Sequence, residues 1–219
     1  FFVCLCFYHY FCNKFKFSTM AKTYQKTKLQ EVTIKGYKSI AFNNPVTLKL
    51  NDVSILLGAN GAGKSNVISF FRMLSYMMSK SFGKYVEISG ASNALLHYGA
   101  KKTPIMSGEI KFSDSKSIDT YSFSLSNATP DRLIITEERI MWHRKGEVKP
   151  YEENLEPVFK ESALAESSNP VAKTIFQMLS YCKVYQFHDS STEGPLRQVC
   201  PVETTNYLQS HGNNLPSFL

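Results

Sequence analysis

The sequence predicts an α/β domain: a strand feeding a glycine-rich loop and a helix, followed by strands grouped without helices between them. Three observations carry this expectation. Gly58-Ala59-Asn60-Gly61-Ala62-Gly63-Lys64-Ser65 fits the pattern G-x-x-x-x-G-K-[ST]. Val53–Leu57 before it is short, apolar and β-prone, and 66–78 after it holds no Gly or Pro and is long enough for a helix. Beyond residue 100 the period becomes strand-like over Ser107–Ser113, Thr120–Ser126 and Arg132–Trp142.

Taken in order, Leu29–Lys35 alternates and is β-branched (Val32, Ile34), so it reads as a strand broken by Gly36-Tyr37-Lys38-Ser39. Val46–Leu50 alternates again, and an Asn51-Asp52 turn leads into Val53–Leu57, which reads as a buried strand. A first helix is expected over 66–79, then a less regular stretch punctuated by Gly83, Gly90 and Gly99. The three following strands, with turns at 127–131 and Gly146, read as an antiparallel lobe over about 100–145. The Glu-rich Tyr151–Glu166 reads as a surface helix. Asn169-Pro170 places a cap and a proline at the start of a helix over Val171–Tyr181. Lys183–Phe187 reads as a short strand.

The chain has 219 residues, enough for one substantial core, with 43% hydrophobic and 20% charged residues. Its net charge of +7 suits a polyanionic partner, although Lys and Arg are scattered and a solvated basic surface fits equally. Residues 1–19 stand apart. They begin with an aromatic run rather than Met, while Met20-Ala21-Lys22 resembles an ordinary start, so 1–19 is expected to be upstream sequence translated with the chain. The run lacks the charge order of a secretory signal and is too short to span a bilayer, so no stable membrane insertion is expected. Cys4, Cys6, His9 and Cys12 do not have zinc-ligand spacing. With Cys182 and Cys200 standing alone, a reducing, cytoplasmic setting is expected.

The loop pattern has a physical reason. A triphosphate concentrates negative charge, and glycines let backbone N–H groups approach it with no Cβ in the way. The next helix adds its unpaired N–H groups and the positive end of its dipole. Lys64 adds a full charge for the β- and γ-phosphates, and Ser65 places a hydroxyl for Mg²⁺. Chance coincidence of the four fixed positions is expected in about one chain of this length in a hundred. The candidate nucleotide-binding residues are therefore Gly58, Ala59, Asn60, Gly61, Ala62, Gly63, Lys64, Ser65 and Asn66.

The residues inside the loop narrow the class. Gly58-Ala59-Asn60-Gly61-Ala62-Gly63-Lys64-Ser65-Asn66 resembles the loop of the RecF/SMC/OLD group of ABC-type ATPases, G-x-N-G-x-G-K-S-N. Val32–Ile40 is similar to that group's opening strand and its N-[FY]-[KR]-S turn, with Gly36 where Asn is usual. Val184–Asp189 and Asn213-Asn214-Leu215 look like softer matches to predicted bacterial ATPases of the group. The resemblance covers about 29–219 and implies the N-terminal part of a P-loop NTPase head, with an antiparallel β lobe, inside residues 20–219. It implies ATP and Mg²⁺ as ligands, heads that pair into a homodimer around ATP, and work on DNA or in defence against foreign DNA. It carries Lys38 to the nucleotide's neighbourhood and makes Gln186 a candidate Mg²⁺ ligand, while alternation with Tyr185 and Phe187 gives Gln186 a plain structural reading. His188 and Asp189 read as a surface pair.

Hydrolysis also needs an acidic residue after an apolar strand and a carboxylate to orient water. Only Leu133–Glu138 offers an apolar run followed by two carboxylates, Glu137 and Glu138, and its place among antiparallel strands favours a cross-strand or solvent-facing role. No signature motif is present. The resemblance thus implies a chain that stops before the catalytic half of the head. ATP hydrolysis is expected of the intact protein, and nucleotide binding without turnover, or the ATPase subunit of a transporter, are the alternatives.

Overall fold

In the computed structural model the described residues are 27–156, 160–185 and 213–214. They form a mixed α/β unit built on a six-stranded antiparallel sheet of order β2-β1-β3-β4-β5-β6. The strands are β1 (Lys28–Lys35), β2 (Val46–Lys49), β3 (Ile105–Ser113), β4 (Ser117–Ala128), β5 (Arg132–Arg144) and β6 (Tyr151–Leu155). Between β2 and β3 run three helices, α1 (Lys64–Met78), α2 (Phe82–Ile88) and α3 (Ala91–Leu95); a 3₁₀ turn (Ala163–Ala165) and α4 (Pro170–Ser180) follow β6.

The expected lobe is therefore not set apart from the opening strands. β1 pairs with β3 from Lys28↔Ser113 to Lys35↔Ser107, so the early strands and the later meander share one ladder. Alternation decides the faces. Val32, Ile34, Met106, Ile110, Phe112, Tyr121, Phe123, Leu125 and Ile140 turn inward. The opposite face carries Thr33, Lys35, Ser107, Glu109, Ser122 and Ser124. α1 covers the inner face with Val67, Phe70, Phe71, Met73, Leu74 and Met77, spaced as an amphipathic helix requires. Phe70 stacks on Phe123 with ring centroids 6.1 Å apart and meets Tyr37 edge-on at 5.9 Å. α4 packs on α1 and on β4 and β5. Its start follows the expected chemistry: Asn169 Oδ1 accepts from Val171 N at 2.7 Å, with Pro170 in the first turn.

Three expectations need correction. Tyr151–Glu166 is not a surface helix. Its first part is β6, paired to β5 from Glu138↔Leu155 to Trp142↔Tyr151, because an open edge of a sheet outweighs the weak helix preference of a Glu-rich run. Val53–Leu57 is not in a strand and no strand pairs with it among the described residues, and it is not buried: Val53, Ile55 and Leu57 are 77%, 63% and 82% exposed, while Leu56 packs inward. An apolar β-prone run encodes a surface that needs covering, not the strands that cover it. Of Lys183–Phe187, the described residues 183–185 are not in a strand, and 186–187 lie outside the described residues.

A bulge in β5 has a further effect. The register shifts at Ser124/Leu125, leaving Thr136 as an extra residue, so inward positions change from Leu133 and Ile135 to Glu138 and Ile140. Glu138 is thereby 1% exposed. Its carboxylate accepts from Ser162 Oγ at 2.5 Å, from Ala163 N at 2.7 Å and from the Tyr121 hydroxyl. Three donors compensate a buried charge and clasp the 3₁₀ segment to the sheet. Burial and this carboxylate push the Tyr121 phenol well above its usual range.

Asp119, buried on the inner face of β4, is not compensated in that way. Burial first, then the nearby Asp114, pushes its carboxyl up to about 6. The folded state thus holds the proton more tightly than the unfolded chain, so stability falls as pH rises from about 4 through 6. Asp119→Asn is expected to raise Tm at pH 8 by several degrees and to change it little at pH 4, measured by thermal melts at both values. An equal gain at both pH values would contradict this account of Asp119.

Candidate functional site

The glycine loop takes its shape from left-handed backbone. Gly61 and Gly63 have φ of 85° and 89°, a region L side chains rarely enter. Gly63 is the N-cap of α1 without any side-chain cap, so the first helical N–H groups are left open. The loop closes on itself through Ala62 N–H to Ala59 O at 3.2 Å, and α1 begins with Asn66 N–H to Gly63 O at 2.9 Å. No backbone acceptor takes the N–H of Gly61, Gly63, Lys64 or Ser65 among the described residues. Gly58, Ala59, Asn60, Gly61, Ala62 and Ser65 are exposed, and Gly63 and Lys64 are half-buried.

Lys64 lies across the mouth of this loop. Its ammonium donates to Gly58 O at 2.6 Å and to Ala59 O at 2.7 Å. A cation is thus fixed among open N–H donors at the positive end of a helix. Ser65 is exposed, and its hydroxyl makes no hydrogen bond among the described residues. Asn66, third in α1, turns back and donates from Nδ2 to Ser39 Oγ at 2.6 Å. Ser39 Oγ also lies against Gly63, where a Cβ would sit 3.5 Å from it. The Gly36–Ser39 turn is therefore docked on the loop.

Lys38 comes from the same turn, but its side chain goes to α1 and not to the loop. The ammonium donates to Ser69 Oγ at 2.6 Å. Gly36, in that same turn, is required by its surroundings. With φ 70°, a Cβ there would stand 2.5 Å from the Ile105 carbonyl oxygen, so the close approach of β3 excludes any side chain.

Other positions are not gathered here. Glu137 is exposed and its carboxylate accepts from Ser124 Oγ across the ladder at 3.2 Å, as a cross-strand role requires. Glu138 is the structural clasp described above, against the expectation of a cross-strand or solvent-facing group; the bulge turned it inward. Gln186, His188, Asp189 and the cysteine-rich start lie outside the described residues. Cys182 is buried, donates to Met178 O at 3.5 Å, and burial pushes its thiol up to about 12. No cluster of three or more His, Cys, Asp or Glu suited to a metal occurs among the described residues, and no helix there is long and apolar enough to cross a membrane.

Sequence reasoning missed two features. His97 Nδ1 sits 2.7 Å from Lys38 O, and His97 N–H donates to Gly36 O at 3.0 Å, pinning the Leu96–Gly99 segment to the basic turn. Beside it Tyr98 is 82% exposed with φ 56°, its ring 4.3 Å from that of His97. Nothing in the period of that stretch announces either. The other feature is a groove of about 480 Å³ on the outer sheet face, lined by Thr33, Lys35, Ser107, Ser122 and Thr136. It carries matched charges, Lys35 and Arg139 against Glu109 and Glu137. In Gly58–Asn66 Lys64 is the one charged side chain and no carboxylate opposes it, which makes the loop the better anion site.

No protein-family model matches the chain. Nor does any curated protein.

Proposed function

We propose that this chain binds ATP with Mg²⁺ at Gly58–Ser65, as the nucleotide-binding part of a P-loop ATPase of RecF/SMC/OLD type. One observation carries the reading: two left-handed glycines and an uncapped helix start leave N–H donors open around the Lys64 ammonium. Such a cradle offers several hydrogen bonds and a net positive field to one compact polyanion. Gly58 and Gly61–Ser65 would hold the phosphates, and Ser65 would supply the hydroxyl for Mg²⁺. The bound Mg²⁺ would neutralise phosphate charge. The chain's residues bind and orient; no carboxylate among those described at the loop is placed to move a proton.

For the 219-residue chain itself, binding without turnover is the reading. Glu137 and Glu138, which alone follow an apolar run, are both committed to the sheet. Hydrolysis, ATP-dependent pairing of two heads, a DNA-directed role and a cytoplasmic setting are proposed for the intact protein by family resemblance. A transporter subunit fits less well, because the Asn60-Gly61 and Ser65-Asn66 pairs match the DNA-linked group.

Calorimetric titration with ATP, with and without Mg²⁺, tests the site. Micromolar-range binding is expected of the unsubstituted chain. Ser65→Ala should weaken Mg²⁺-ATP binding by about tenfold and Mg²⁺-free binding by less than about twofold. Equal losses would remove the metal role from Ser65.

A further inference from the structure

The Lys38 backbone sits at φ 49°, where a side-chain-bearing residue is uncommon, and it is held there from both sides. Lys38 N–H donates to Leu95 O at 2.8 Å, and Lys38 O faces His97 Nδ1 at 2.7 Å. From this fixed origin the side chain runs over the Tyr37 ring, its ammonium 5.4 Å from the centroid, and ends on Ser69 Oγ. Ser69 lies one turn after Ser65 on the same face of α1, their Cβ atoms about 5–6 Å apart, so the ammonium ends one helical turn beyond the loop's last hydroxyl.

Ser69 is more than a surface acceptor. Its Oγ is 2.7 Å from the Tyr37 hydroxyl and 2.9 Å from the Tyr85 hydroxyl, which are themselves 2.9 Å apart. The Tyr85 hydroxyl also donates to Ser69 O at 3.0 Å. With Lys38 donating to Ser69 Oγ, the serine proton is left to point into the two phenols. Tyr37 and Tyr85 are buried, and burial keeps the Tyr37 phenol neutral. The serine therefore receives the ammonium from outside and is anchored from inside by α2 and the basic turn. A lysine with a flexible four-carbon stem ordinarily spreads its charge over solvent; this one is confined.

We infer that Ser69 is a positioning residue of the nucleotide site, fixing the Lys38 ammonium beside the start of α1 so that it adds to the field on a bound triphosphate. This rests on the reading of Gly58–Ser65 as that site. The alternative role for Ser69, tying α1 to α2 through the Tyr85 hydroxyl, also needs the serine hydroxyl but would not depend on Lys38, so the double variant separates the two.

The experiment measures Mg²⁺-ATP affinity of the 219-residue chain in Ser69→Ala, Ser69→Thr, Lys38→Ala and the Lys38→Ala/Ser69→Ala pair. Ser69→Ala and Lys38→Ala should each weaken binding by about tenfold, and the pair should be no weaker than Lys38→Ala alone. Ser69→Thr, which keeps the hydroxyl, should bind within about twofold of the unsubstituted chain. Independent, multiplying losses in the pair, or a Ser69→Thr as weak as Ser69→Ala, would overturn the inference. Should Ser69→Ala not fold, Tyr85→Phe combined with Lys38→Ala decides by the same non-additivity. Lys64→Ala separates the two levels. If it still binds ATP normally, the nucleotide reading falls; if it loses ATP while Ser69→Ala and Lys38→Ala do not, only the role of Ser69 falls.

Discussion

Lys64→Ala is expected to lower the affinity proposed for ATP by roughly a hundredfold or more and to leave the fold intact. The ammonium is the only side-chain cation bonded to the loop among the described residues, through Gly58 O and Ala59 O. Its removal takes away a full charge from a place where a second or third phosphate would bring several negative ones. It also leaves two carbonyl oxygens facing the incoming anion without a cation between them. The helix itself does not depend on Lys64, because α1 is held by Phe70, Phe71, Met73, Leu74 and Met77 on its buried side. Far-UV circular dichroism should therefore be unchanged while titration with ATP, and with inorganic tripolyphosphate as a base-free probe, goes flat. Unchanged affinity for both anions would remove the site assignment altogether.

Gly108→Val lowers Tm by about 5–10 °C, and Gly108→Ala by somewhat less. Gly108 lies directly opposite Phe123 in the β3–β4 ladder. The Phe123 ring lies over the glycine, and Phe70 of α1 stacks on that ring. A Cβ at 108 would stand 2.6 Å from Phe123 Cζ and 2.7 Å from Phe70 Cζ. Both rings are buried and cannot turn away without a gap elsewhere. Relief requires α1 to lift from the sheet. Because Lys64 and Ser65 open that same helix, loss of ATP affinity should accompany loss of stability. Thermal melts with and without ATP measure both, and a Gly108→Val chain melting within about 2 °C of the original would contradict the aromatic stack.

Much of this was legible from residues alone, for identifiable reasons. α1 was visible because 66–78 holds no Gly or Pro and is long enough for a helix, and α4 because Asn169-Pro170 carries a start signal in two residues. The three meander strands were visible through alternation, and each proved a little longer than the alternation suggested. The loop was visible because its chemistry is local: two glycines, a lysine and a serine in fixed order. What escaped notice is non-local. That β1 and β3 share a ladder depends on pairing between distant residues, from Lys35↔Ser107 to Lys28↔Ser113, which no window of sequence contains. Glu138 points inward only because one extra residue, Thr136, resets the phase of β5. The hydroxyl cluster of Tyr37, Ser69 and Tyr85 joins a turn and two helices, and the period of each segment is silent about it.

The exposed ribbon Val53–Leu57 has a practical consequence. Among the described residues no strand pairs with it, and its three outward aliphatic side chains sit immediately upstream of the glycine loop. Such a stretch recruits any strand it meets, including its own copies. Replacing Val53, Ile55 and Leu57 by polar residues is therefore expected to reduce self-association of the 219-residue chain, measured by light scattering against concentration.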